Sequence, residues 1–285
     1  MNSVADRAAV PSQRRRELGL SLPLQMSARG LMAVLLLLPF VPLVMWAMSA
    51  RWFFPSILPA ELSARAWRYL ASDTSGVVGG FRDSTEIAVI VTVVASFIGL
   101  CSGRALGLYR FRGKRFIEFL ILAPVIVPPL AVTTGIHVLF IKYGLADTIH
   151  GVVLVHLIPT IPYVTLVMSS VYANYDIAFE EQARVLGASP ARVFWHVTLP
   201  SIFPGLVVAA LFAFLISWSE YILTLLIGGG QVITLPLLLF SFANTDPSVA
   251  AALSLVFIAP AVLILVFTSK YLSGSRTAIG GFGRL

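Results

Sequence analysis

The sequence predicts an all-α polytopic membrane protein with six transmembrane helices. Hydrophobic residues make up 58% of the 285-residue chain and charged residues only 12%, whereas a soluble domain carries about a quarter charged residues. Six apolar runs, at approximately 30–49, 86–108, 117–141, 152–172, 203–227 and 249–269, are each long enough for a hydrocarbon core that takes about twenty helical residues. The segments between them are short, so the chain reads as one membrane domain over 29–272 with a polar tail at 1–28 and another at 273–285.

The third observation is where the positive charge falls. A formal net charge of +7 suits nucleic acid in principle, but its distribution follows membrane sidedness instead. Arg7, Arg14, Arg15, Arg16 and Arg29 precede the first run, and Arg104, Arg110, Arg112, Lys114 and Arg115 lie between runs two and three. Arg184 and Arg192 separate runs four and five, and Lys270, Arg276 and Arg284 follow run six. In a six-span arrangement these positions share one side, leaving only Arg51, Arg65, Arg68, Arg82 and Lys142 on the other. The positive-inside rule then places both termini and the connection between runs four and five in the cytoplasm, and no nucleic-acid partner is expected.

The elements follow in order. Run one is preceded by an extended basic leader and followed by five more runs, so it reads as a retained anchor rather than a signal peptide. Residues 51–85 form the largest external connection, in which Trp67 and Tyr69 suit the membrane interface. Run two holds the single cysteine, Cys101, expected to be a buried apolar filler; one cysteine allows no intrachain disulfide. Run three contains Pro124, Pro128 and Pro129, which remove backbone donors and should bend or break its helix. Two readings stand: a packing kink, or a helix lining a translocation path with Thr133, Thr134 and His137. Residues 233–240, after Gly228-Gly229-Gly230, are too short to cross and read as a re-entrant or outer-surface helix.

Between runs four and five lies a polar stretch patterned as two helices back to back. Asp176 can cap a first helix, and Gly187 sits where a left-handed stop is wanted. Ser189-Pro190 is a new cap with proline at the first helical position, and Pro200 is expected to close the second helix. Glu180 and Arg184, four apart, form a surface pair worth ~0.3–0.5 kcal/mol. A connection alone needs no such pattern; a helix–turn–helix at the membrane surface is a shape for a partner to grasp.

The spacing of Glu181, Ala183, Gly187, Val197, Leu199 and Pro200 resembles the cytoplasmic loop motif of membrane subunits of binding-protein-dependent ABC importers. The family pattern is Glu-Ala-Ala, three residues, Gly, nine residues, an aliphatic, any residue, Leu-Pro. Gln182 replaces the first alanine and Val197 the usual isoleucine. Pro124 through Pro129, Ile161-Pro162-Tyr163 and Ala213-Phe214 through Glu220 extend the resemblance over roughly 85–270.

The resemblance implies a type I ABC importer permease fold in which residues 174–202 form a cytoplasmic coupling helix and its turn. It further implies two ABC ATPase subunits, a second permease subunit, identical or related, and an extracytoplasmic solute-binding protein. Glu181 would be the polar contact or helix-start anchor, Gly187 the sharp turn, and Val193, Phe194 and Val197 an apolar face packing the second helix. The spermidine/putrescine-type group, which also takes other small organic solutes, is the nearest in flavour.

The residues themselves exclude enzymatic chemistry of familiar kinds. His137, His150, His156 and His196 have no metal-ligand spacing. Between Gly107 and Gly113-Lys114 stand five residues where a phosphate-binding loop has four, and Arg115 replaces its hydroxyl residue. No cofactor is expected in this chain; ATP and Mg belong to the partner ATPase.

Glu220, deep in run five, costs roughly 2.5–3.5 kcal/mol to place in a membrane and should face protein or water. Ser217 and Thr224 share its helix face. Either Glu220 makes an inter-helix hydrogen bond, or these residues line a path attractive to cationic solutes. The rival function is an ion-coupled secondary transporter with Glu220 carrying a proton, which gives no reason for the patterned loop.

Overall fold

The computed structural model describes residues 22–52 and 55–280. Two compact units are distinguished, Met1–Pro42 and Leu43–Leu285. The smaller contains α1 (Leu22–Leu37), whose Leu31, Met32 and Leu36 are exposed, as an apolar helix facing lipid requires. Helix α2 (Phe40–Ala47) crosses the boundary between the units, and Gly30–Ala47 is apolar and long enough to be a candidate span.

The larger unit begins with a short antiparallel pair, β1 (Ser49–Arg51) with β2 (Glu61–Leu62), followed by α3 (Arg65–Leu70) and one 3-10 turn. Then come α4 (Val77–Leu108), α5 (Lys114–Ile126), α6 (Pro129–Lys142) and α7 (Ile149–Ala173). The patterned loop supplies α8 (Ala178–Val185) and α9 (Pro190–Val193), joined through a π-helical stretch, Phe194–Thr198, to α10 (Leu199–Trp218). The chain finishes with α11 (Ile222–Ile227), α12 (Leu235–Ala243) and α13 (Pro247–Gly280). The all-α membrane class holds: five helices are long and apolar enough to cross, and six if the bent pair α5–α6 is one span. The tails set at 1–28 and 273–285 fall partly outside the described residues.

Several boundaries differ from expectation for physical reasons. Helix α4 starts at Val77 rather than near 86, because Arg82 and Glu86 turn outward while Gly80, Ser84 and Ile87 stay on the buried face. Pro124 is carried inside α5, whereas Pro128 and Pro129 do break the run, and α5 and α6 meet at 94°. Run five is not one helix: α10 stops at Trp218 and α11 restarts at Ile222. Nor does Pro200 close a helix, since Pro190–Trp218 runs on as a single span. The π turn between Phe194 and Leu199 widens the backbone just before Pro200, relieving the clash that a proline ring makes inside an α-helix.

Helices α4, α7 and α10 form the centre of the larger unit. Ile87, Val91 and Ala95 of α4, Val152, Val155, Val164 and Met168 of α7, and Ile202 and Ala209 of α10 are buried together. Close approach of α4 to α7 depends on Gly99, Gly103 and Gly107, four apart on one α4 face, against which Val164, Met168 and Tyr172 lie. A Cβ on Gly107 would stand 2.6 Å from both the Ser169 carbonyl oxygen and Tyr172 Cβ. Without a hydrophobic drive between helices in lipid, such small residues let dispersion contacts and hydrogen bonds act at short range. Ser102 and Thr165 hydroxyls, 2.8 Å apart, add one such bond. Cys101 is exposed, not buried, because Gly99 and Gly103 hold the inward face.

A second cluster ties α10 to α13. Trp218 stacks on Phe214 and Phe257, with centroids 5.5 and 5.7 Å apart, and donates its indole N–H to the Phe257 carbonyl at 3.0 Å. Next to the α13 start, Arg65 pairs with Asp246 through contacts of 2.7 and 2.8 Å, and Asp246 also accepts the Val249 N–H. The guanidinium holds the Asp246 carboxyl below its usual range.

Gly103→Leu should force α4 from α7 and destabilise the protein by at least about 1–3 kcal/mol. Its thermal unfolding midpoint in detergent should fall clearly below the parent's. Gly135→Leu should leave the midpoint unchanged, because nothing lies within 4 Å of a Cβ added on α6 there.

Candidate functional site

The polar loop is shaped by local backbone chemistry. The Asp176 carboxylate accepts the Ala178 N–H at 2.9 Å and starts α8. Gly187 takes φ +85°, and the Ala188 and Gly187 N–H groups close onto the Ala183 and Arg184 carbonyls. That is a Schellman stop, which satisfies carbonyls a helix end otherwise leaves unpaired. The Ser189 hydroxyl then accepts the Arg192 N–H, and Pro190 opens α9. Nothing lies within 4 Å of a Cβ added to Gly187, so its constraint is purely conformational.

Among its exposed polar residues, this helix–turn–helix also presents large apolar side chains. Val185 and Leu186 are each 87% exposed, and Trp195 and Phe179 are also exposed. Between the two arms lies a cleft of about 390 Å³ lined by Phe179, Gln182, Ala183, Leu186, His196 and Val197, among others. Glu181 and Pro200 are exposed, and Ala183, Phe194, Val197 and Leu199 are half-buried. Val193 is buried within the chain and anchors α9.

The residue that fastens the loop is Glu180, which sequence reasoning assigned to a surface pair. Its side chain is only 1% exposed. Arg104, near the end of α4, donates Nη1 to Oε1 and Nη2 to Oε2, both at 2.8 Å. Arg184 donates to Oε2 at 2.8 Å and the Thr198 hydroxyl donates to Oε1 at 2.7 Å. The Arg104 guanidinium carbon also lies 5.7 Å from the Tyr172 ring centroid at the end of α7. These donors, Arg104 first, pull the Glu180 carboxyl down to about 2 against the opposing effect of burial. The choice of Glu180 rather than Glu181 was illegible in the sequence: adjacent glutamates look alike until an arginine 76 residues away is placed.

The residues expected from the sequence to line a path do not gather at one place. Ser217 and Thr224 are buried and clasp His156 of α7, with Ser217 Oγ 3.0 Å from Nδ1 and Thr224 Oγ1 2.9 Å from Nε2. His156 thus joins α7 to both halves of the broken run, a role its isolated position in the sequence concealed. Glu220 lies in the break, half-buried, and its Oε1 accepts the Leu223 N–H at 3.3 Å, at the start of α11. Beside it Tyr221 stacks on Phe240 at 4.4 Å. Thr133 is buried and His137 half-buried on α6, which packs against α11. Among the described residues no group of three or more His, Cys, Asp and Glu could hold a metal ion.

Comparison with known proteins gives a consistent picture. Residues 97–276 match the family model described as the binding-protein-dependent transport system inner membrane component. The chain is 31% identical over 212 residues to a molybdenum transport system permease protein of Mycobacterium tuberculosis, covering 69% of this chain and 78% of that one. It is 32% identical over 200 residues to a putrescine transport system permease protein of Escherichia coli, covering 66% and 70%. A chain of a bacterial ABC transporter that imports the acidic polysaccharide alginate superposes with a TM-score of 0.60 over 87% of this chain and 94% of that one, at 20% identity. That likeness establishes the shared fold.

Glu180→Gln should cost about 3 kcal/mol near neutral pH, because it leaves Arg104 without its buried counter-charge. The depressed carboxyl contributes stability above its ordinary value of 4.5, and that contribution is lost as pH falls toward about 2. The gap in unfolding midpoint between parent and Gln variant should therefore narrow as a detergent-solubilised sample is acidified.

Proposed function

The chain belongs to the family of inner membrane components of binding-protein-dependent transport systems, and from that membership we propose that it forms half of the translocation path of an ATP-driven importer. A second permease subunit, identical or related, supplies the other half. Two ATPase subunits, holding ATP and Mg, bind from the cytoplasm, and an external binding protein delivers a small organic solute. Both termini lie in the cytoplasm, as the distribution of arginine and lysine favours.

The observation that carries this reading is the exposed apolar knob at the end of α8. Val185 and Leu186 stand at the tip of a turn that Gly187 shapes through its positive φ, although water should disfavour them there. An ATPase subunit that covers the tip buries these side chains and grips the loop through it. When the ATPase pair closes, the loop is carried with it and the spans rock between inward-facing and outward-facing arrangements.

The solute is proposed to be polyamine-like or related. Glu220 offers a carboxylate at the break between α10 and α11, beside the stacked Tyr221 and Phe240 rings. An acidic group next to aromatic faces suits an amine-bearing cation better than an oxyanion. No observation favours proton-coupled transport through Glu220.

An affinity-tagged chain purified from its own host should bring with it a subunit that hydrolyses MgATP. Gly187→Val should reach the membrane at the parent's level yet lose that subunit, since the positive φ imposes about 1–3 kcal/mol of strain on a β-branched residue. Capture of equal ATPase activity by both would remove the loop from coupling. In the reconstituted importer, Glu220→Gln should hydrolyse ATP as the parent does while importing putrescine several-fold more slowly. Equal uptake would show that the charge of Glu220 plays no part in solute passage.

A further inference from the structure

We infer that Glu180 is the positioning residue that makes the loop and the cytoplasmic ends of α4, α7 and α10 move as one body. The inference rests on the importer reading above and adds to it a route by which force leaves the loop.

Two covalent connections attach α8 to the membrane helices. One is the short link after α7, where Asn174 and Tyr175 make only turn-type backbone bonds. The other is the Gly187 turn followed by α9 and the π-helical stretch. Neither is a continuous α-helix, so either can bend when the loop is pulled. A third, non-covalent connection bypasses both. Through one carboxylate, α8 is joined to α4 by Arg104 and to the base of α10 by Thr198, while Arg104 lies over the Tyr172 ring of α7.

The kind of bond matters as much as its strength. Apolar contacts resist separation but permit sliding, and a well-packed apolar group would stabilise this position as well as an ion pair does. A two-point guanidinium–carboxylate fork instead fixes distance and angle together. With both oxygens of Glu180 also held from other sides, the carboxylate has no free rotation left to absorb a displacement. Glu181, one residue on, is exposed and remains available to the docking face.

The test measures rigidity directly and needs no identified solute. In a Cys101→Ser background, nitroxides at Ala105→Cys on α4 and Gln182→Cys on α8 report the distance between the two elements; both sites are exposed in the chain, and neither belongs to the apolar tip. The labelled chain is purified as the importer complex with its ATPase subunits, in lipid nanodiscs, with and without MgATP and vanadate. In the parent one narrow distance should be seen, unchanged by nucleotide trapping. With Glu180→Ala the distance should become nucleotide-dependent, shifting by several ångströms as the ATPase drags the loop alone, and Arg104→Gln should behave likewise.

Loss of a merely structural bond lowers the yield of complex without creating such a nucleotide-dependent shift. A fixed distance in the assembled Glu180→Ala complex overturns the inference, as does a parent distance that itself changes on trapping. Should Glu180→Ala not accumulate, Glu180→Gln supplies the same comparison. If the parent captures no ATPase, the importer reading fails; the width of the distance distribution in parent and variant, without nucleotide, then still decides whether Glu180 is a tether.

Discussion

The short separation between α4 and α7 is the constraint on which the larger unit depends. Gly99, Gly103 and Gly107 bring the last turns of α4 against α7, and the polar loop is registered against that seam through Arg104. Arg104 leaves α4 one residue after Gly103, so the backbone contact that seats Met168 also sets the direction in which the guanidinium departs. Tyr172 then closes over it from α7. The ion pair with Glu180 is therefore a consequence of apolar packing: its geometry is inherited from helices brought together by dispersion and the absence of side chains.

Two kinds of polar group are buried here, and they do different work. His156 is held by two hydroxyls, Ser217 and Thr224, and links elements inside the membrane through uncharged bonds. Glu180 is surrounded by two guanidinium groups and a hydroxyl near the membrane surface. The first arrangement suits a medium in which charge is costly, the second a boundary where water still reaches the arginines. The break between α10 and α11 lies beside the first, with the Glu220 carboxylate meeting the Leu223 N–H. A helix interrupted there gives its backbone somewhere other than lipid to find partners.

Much of the fold was legible because lipid demands long apolar runs and turns demand particular residues. The apolar runs, the Pro128–Pro129 break, the Gly187 stop and the Ser189–Pro190 restart were all readable from composition and local chemistry. What escaped was everything set by distant partners. Glu180 and Glu181 are neighbours with equal propensities, and only Arg104 and Thr198 distinguish them. Run five looked continuous because hydropathy does not register a carboxylate turning back to cap its own chain. Arg82 and Glu86 concealed the early start of α4, since one exposed face is enough to carry charge on an otherwise buried helix. Pro200 looked like a terminator because a proline ends an α-helix unless a widened turn precedes it.

That widened turn has a geometric meaning for the chain as a whole. A π turn contains one residue more than the α turn it replaces, and each residue advances about 100° around the axis. The side chains of α9 and those of α10 are consequently read in two different angular frames, although both lie on one unbroken rod. Phe194–Thr198 is the phase shift between them. Thr198 reaches Glu180 from the last position of that shift. The stretch sets the azimuth of the loop face independently of the azimuth at which α10 meets α4 and α7, so a surface suited to protein and a surface suited to the membrane interior can be aimed separately along a single axis.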